Sequence, residues 1–343
     1  MKRYYAAACQ VDLPNPTTRD EIFNHVDHVL SMIDYTVVGY EPYFDVRLFV
    51  FPEFTHAAPI YPTVEKLHDR LAIPIPNEHT DRYVKKCREL GVYLQTGSFL
   101  ERDDRWPGHV FNTTCLIGPG GILSKYRKVH PWIPWEVHTS PHDLPDYDLP
   151  MYPVVETEIG RLGAAICYDW LFPEAIRQLA LAGAEVLIRV SAYMDPWGTA
   201  QPMDWWTTVN RVRALENMSY VVASNQAAQM RNYPPFSWPG GSMIVDFDGR
   251  ILAQADPGPV EKVVVAPIDI AALRQERERR RGHDLLTHLR METYQQYHAR
   301  PTIYPADASA APPSLESNEQ RMRAARENLR HMRASLSQRD HSD

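Results

Sequence analysis

Residues 162–190, LGAAICYDWLFPEAIRQLALAGAEVLIRV, set two apolar runs of strand length on either side of a segment of helical length. Strand, turn, helix and second strand in that order describe parallel strands joined by a crossover helix. Pro173 suits the first turn of the helix, where its missing N–H is not needed. Cys167 closes the first run, at the point where the chain leaves the sheet. A cysteine that only fills space would sit inside the run.

The same organisation extends outward in both directions. Strand-like runs include YYAAACQV, VRLFVF, VYLQTGSF, NTTCLI, ILSKY, SYVVASN, SMIVDF and KVVVAPI, with helical segments expected near 20–34, 78–90, 173–183 and 203–217. LIGPGGILSKY and VDFDGRILAQ read as hairpins, since each turn is built on glycine with proline or aspartate. These features predict an α/β domain over residues 1–299 whose sheets carry helices on their outer faces. From about residue 300, ARPTIYPADASAAPPSLESNEQ is rich in Pro, Ala and Ser and reads as an extended arm. Beyond it, Met322, Ala325, Leu329, Met332 and Leu336 step by three and four residues, which predicts a helix with one narrow apolar stripe. Such a helix is marginal alone in water, so residues 300–343 are expected at an oligomer interface.

Composition narrows the function classes. A chain of 343 residues with 23% charged residues and a net charge of −7 lacks the concentrated basic face of a nucleic-acid binder. The one basic run, RQERERRRGH at 274–283, is interleaved with Glu276 and Glu278 and reads as a solvated helix face. The N-terminal apolar stretch is too short for a signal segment and meets Asp12 at once, so a cytoplasmic, non-membrane protein is expected. On that view the triplets beginning at Asn112 and Asn217 are chance matches to a glycosylation site. Cys9, Cys87, Cys115 and Cys167 are far apart, which suits a reducing compartment and a core role for the first three. With no H-E-x-x-H and no Cys/His cluster, neither metal nor cofactor is expected.

Three strand ends carry groups that a core does not need. RLFVFPEF carries Glu53 after its apolar run, ILSKYRKVHPWIPWE carries Lys128 and Glu136, and LGAAIC ends at Cys167. Singly these could be a cap, a surface lysine and a buried thiol. Together they form a chemical set. A thiol of pKa ~8.5 needs a base, which a desolvated Glu53 can supply. An ammonium such as Lys128 and the backbone N–H of Tyr168 can hold the oxyanion formed when a thiolate attacks an amide.

FPEF, KYRKVHPWIPWE and CYDWLFPE, in this order, resemble the nitrilase, or carbon–nitrogen hydrolase, superfamily. The run K-x-x-P-W-x-P-x-E, from Lys128 to Glu136, is similar to the aliphatic amidase and formamidase branch. The resemblance implies an αββα four-layer sandwich that forms homo-oligomers, a Glu–Lys–Cys triad at Glu53, Lys128 and Cys167, and an additional glutamate at Glu136. It implies a primary amide as substrate, and Phe54, Trp132 and Tyr193 as pocket lining. Three departures bear on specificity. Phe54 stands where aliphatic amidases carry tyrosine, Tyr168 where an acidic residue is common, and VHTSPHDLPDYDLP replaces a glycine-rich stretch. A nitrilase or N-carbamoyl hydrolase on the same triad, an ammonia-supplying module and a catalytically silent interaction protein remain as alternatives. CYDWLFPE has no arginine, which counts against a carbamoyl amino acid.

Overall fold

A computed structural model describes residues 2–13, 15–132, 135–194, 200–227, 239–258, 260–294, 302–306 and 311–339. Twelve described strands form two six-stranded sheets. The first sheet has the order β12 (Lys262–Ile268), β1 (Tyr4–Gln10), β2 (Val46–Val50), β3 (Tyr93–Glu101), β4 (Phe111–Gly118), β5 (Gly121–Arg127). The second has β11 (Ile251–Gln254), β10 (Met243–Val245), β9 (Tyr220–Asn225), β8 (Val186–Ser191), β7 (Gly160–Ile166), β6 (Val154–Thr157). The central strands are parallel: β1 with β2, β2 with β3, β7 with β8, and β8 with β9. Both expected hairpins form, as the antiparallel pairs β4–β5 and β10–β11.

The central strands are buried on both faces, which is why they read as unbroken apolar runs rather than alternating ones. In β1, Ala6 and Ala8 join the core between the sheets, while Ala7 and Cys9 lie in the core beneath the outer helices. That outer layer is α1 (Ile22–Tyr40), which contributes Val26, Val29 and Ile33, and α3 (Glu78–Leu90), which contributes Tyr83 and Cys87. On the second sheet, α4 (Pro173–Leu181) and α5 (Trp205–Asn217) cover the outer face with Ile176, Leu179, Trp206 and Ala214. The architecture is thus helix, sheet, sheet, helix, as expected.

Two short elements escape the sequence patterns. α2 (Val64–Arg70) buries only Val64 and Leu67, and β6 is a half-exposed edge strand, so neither leaves a clear period. The basic run is a mostly exposed helix face, as expected, with Arg274, Gln275, Glu278 and Arg279 all exposed. It lies largely on α6 (Ile270–Arg279), but Arg277 donates to the carbonyls of Met218 and Ala184, and Arg274 forks onto the buried Glu185 carboxylate. The half-buried Arg277 and the exposed Arg274 thus also tie the helix to the second sheet. Asn112 and Asn217 are fully buried, so neither triplet is an accessible acceptor. Cys9, Cys87 and Cys115 are buried and unpaired.

α7 (Leu315–Arg339) forms over the predicted tail helix. Its striped residues Met322, Ala325, Leu329 and Met332 are partly buried within the same chain; Leu336 lies outside the described side chains.

Candidate active site

The site residues follow the C-terminal ends of three strands, two in the first sheet and one in the second. Glu53 comes three residues after β2, Lys128 directly after β5, and Cys167 directly after β7. The end of β5 is anchored by Arg127, whose guanidinium forks onto Glu101 with two 2.8 Å bonds. The Lys128 backbone N–H then donates to Asn112 O at 2.9 Å, and the side chain turns into the interior.

Lys128 Nζ is wholly buried and donates to three carboxylate oxygens: Glu53 Oε1 at 2.8 Å, and Glu136 Oε1 and Oε2, each at 2.9 Å. Glu53 Oε1 also accepts from Asn112 Nδ2 at 2.8 Å, and Oε2 accepts from the Ala192 backbone N–H at 3.0 Å. Burial opposes the Lys128 charge, but Glu136 and Glu53 outweigh it and hold the ammonium above the ordinary lysine range. Burial raises the pKa of both glutamates, and the attraction of Lys128 offsets this only in part. One ammonium between two buried carboxylates keeps its proton, while the glutamates take one up more readily than in water.

Cys167 is the first residue of a 3-10 turn, Cys167–Leu171, and adopts φ +45°. A non-glycine residue in the left-handed region is strained, and such strain gathers where a side chain must be presented. Burial pushes the thiol pKa up, as does Glu53, while Lys128 pulls it down. The balance favours the protonated thiol, within electrostatic reach of Glu53 and Lys128. Phe54 also lies in the left-handed region, at φ +62°, and its N–H donates to Ser98 Oγ at 2.9 Å. Gly97 makes room for this turn. A Cβ there would stand 2.5 Å from Pro52 O, and its φ is +77°.

The other expected residues fall close by. Trp132 donates its backbone N–H to Glu136 Oε2 and packs edge-on against Trp135 at 4.8 Å. Tyr193 is buried, with its N–H on Asn225 Oδ1 at 2.7 Å and its ring 5.0 Å from the Arg189 guanidinium. Phe54 packs with Ala58 and Ala192. Tyr168 follows the candidate nucleophile on the turn, with its ring edge-on to Phe172. His138 is fully buried 3.6 Å from Glu136 Oε2, too far for a hydrogen bond, and burial lowers its pKa to about 3. Burial thus favours its neutral form.

Neither Asn112 nor Asp169 was singled out for this site from the sequence. Asp169 Oδ2 accepts from Tyr126 OH and the Ile166 N–H, and Oδ1 accepts from the His130 N–H and faces its Nδ1 at 2.8 Å. One carboxylate thus ties the segment after Lys128 to the Cys167 turn. Its position two residues after the cysteine was the only available cue. Among the described residues, no group of three His, Cys, Asp or Glu side chains is placed to hold a metal ion.

Comparison with known proteins gives this arrangement its family. The model for carbon–nitrogen hydrolases matches residues 6–278. The chain belongs to that family. As a carbon–nitrogen hydrolase of the nitrilase superfamily, it is a hydrolase of carbon–nitrogen bonds other than peptide bonds, near the amidase and formamidase branch. A formamidase from Bacillus cereus (strain Q1) is 31% identical over 262 residues, covering 76% of this chain and 72% of that protein. A carbon–nitrogen hydrolase from Helicobacter pylori G27 shares the fold with a TM-score of 0.71 at 22% identity, covering 87% of this chain and 99% of that one. Nit3 of Saccharomyces cerevisiae, described as a member of branch 10 of the nitrilase superfamily, gives a TM-score of 0.65 at 22% identity, over 82% and 97%.

Proposed function

We propose that this carbon–nitrogen hydrolase is an amidase that converts a primary carboxamide to its carboxylic acid and ammonia through a thioester on Cys167. The observation that carries this is the buried Lys128 side chain held between the carboxylates of Glu53 and Glu136. Glu53 takes the thiol proton as sulfur attacks the amide carbon, and the carbonyl π electrons move to oxygen. Lys128 and the Tyr168 backbone N–H stabilise that oxyanion. Glu53 returns the proton to nitrogen as the carbon–nitrogen bond breaks, so ammonia leaves and the thioester remains. Water, losing a proton to Glu53, attacks the thioester. Collapse expels the thiolate, which recovers the proton from Glu53, and the acid is released.

Glu136 orients Lys128 through two hydrogen bonds and can accept from the substrate's amide nitrogen. Phe54, Trp132 and Tyr193 bound the acyl pocket in this proposal. A reducing cytoplasm is supported by four buried, unpaired cysteines. A homo-oligomer is supported by Leu181, Val212 and Leu215, which stand exposed on α4 and α5. Light scattering that returns the mass of one chain would remove the oligomer.

The catalytic proposal is tested by ammonia release from parallel panels of primary amides, nitriles and N-carbamoyl compounds. Turnover of amides is expected, with Lys128→Ala reducing it by roughly 10²–10³ and Cys167→Ala abolishing it. Turnover confined to nitriles or N-carbamoyl compounds would contradict the amidase, and full activity in Cys167→Ala would contradict the thiol mechanism.

A further inference from the structure

The C-terminal helix lies outside the region matched by the family model, which ends at residue 278, yet it reaches the candidate site within the same chain. Ser314 and Ser317 start α7 reciprocally: the Ser317 N–H donates to Ser314 Oγ at 3.0 Å, and the Ser314 N–H donates to Ser317 Oγ at 2.8 Å. This places Asn318 in the first turn, where it is only 3% exposed. Asn318 Nδ2 donates to the backbone carbonyl of Glu136 at 3.0 Å. Three residues on, on the same face of the helix, Arg321 forks onto both carboxylate oxygens of Asp143, one of them at 2.9 Å. The Arg321 guanidinium also donates to Pro305 O at 3.2 Å and lies 4.7 Å from the Tyr304 ring. Asn328 Nδ2 donates to Ile303 O at 3.0 Å, so the arm before the helix is tied to it as well.

Glu136 and Asp143 both belong to the segment that leaves β5 after Lys128. Ser140 Oγ closes that segment on Val129 O at 2.6 Å, and the Thr139 N–H fixes it to Val110 O at 2.7 Å. The segment is therefore held from the sheet side by its own bonds, and from the other side by α7. We infer that Asn318 and Arg321 are positioning residues: the C-terminal helix is a strap that sets the backbone of Glu136 and, through it, the orientation of Lys128. The inference rests on the role proposed above for Glu136 and adds this chain's tail to the machinery of turnover. An error of about 1 Å in a group that must align with the reacting carbon costs up to ~10²-fold in rate, so a backbone tether of this kind is felt in kcat.

The test is a double-mutant cycle in the full-length chain: Asn318→Ala, Glu136→Gln and the pair, with kcat and KM measured on one turned-over amide. Asn318→Ala is expected to lower kcat roughly ten- to hundred-fold with KM changed by less than about threefold. In the Glu136→Gln background the same substitution should cost less than about twofold, because the group being positioned is already disabled. Arg321→Lys, which keeps the charge but loses the fork, is the milder variant should Asn318→Ala fail to fold. It should show a smaller fall in kcat and the same loss of effect in the Glu136→Gln background. Equal losses in both backgrounds, or a folded Asn318→Ala protein with wild-type kcat, would overturn the strap alone. A Glu136→Gln enzyme of nearly wild-type kcat would instead remove the role of Glu136 and the strap with it.

Discussion

Glu53 and Cys167 hold the same proton problem from opposite ends. Burial raises both pKa values, so the thiol keeps its proton and the carboxylate becomes a better acceptor. In the proposed mechanism Glu53 must be ionised to act, which makes it the group that limits reactivity on the acid side. The sign follows: alkylation of Cys167 by iodoacetamide should speed up as pH rises through the elevated Glu53 pKa, above the ~4.3 of a free glutamate. In Glu53→Gln that limb should vanish and the rise should move to alkaline pH, where the thiol ionises unaided. An identical profile in wild type and Glu53→Gln would deny Glu53 the role of base. Glu53, Lys128 and Cys167 stood out in the sequence because each follows an apolar run that has no use for such a group, whereas Glu136 drew notice through its resemblance to the amidase motif. Asn112 did not, because a buried asparagine inside a strand looks like any other polar residue until its carboxylate partner arrives from 59 positions away.

At the level of elements, unbroken apolar runs announced the parallel strands, and Pro173 announced the start of α4. The turn that presents Glu53 was hidden. It depends on Gly97 in the neighbouring strand β3, which the pattern VYLQTGSF shows only as a glycine within a strand. The register of β3 against β4 shifts between Gln95 and Ser98, and Gly97 lies inside that irregularity. Gly97→Ala must both adopt φ +77° and displace Pro52 O, so it should cost about 1–3 kcal/mol of stability. Turnover should fall as well, since Glu53 follows Pro52 directly. Urea unfolding measures the first effect; a loss below about 0.5 kcal/mol would mean that the turn relaxes freely.

Across the whole molecule, two sheets packed face to face bring together groups separated by more than a hundred residues. Glu53, Lys128 and Glu136 come with the first sheet and Cys167 with the second, so the site exists only when the sandwich closes. The contact of the tail with the Glu136 carbonyl was beyond a pattern-based reading, since helical periodicity reports that a face wants cover but not which surface provides it. The central claim is covalent chemistry at one sulfur, and intact-protein mass spectrometry during turnover of a slow amide reads it directly. The wild type should gain the mass of the acyl group, without the amide nitrogen, on the peptide containing ICYDW, and Cys167→Ala should gain nothing. Rapid turnover with no adduct under acid quench, or an adduct on any other residue, would contradict the thioester mechanism.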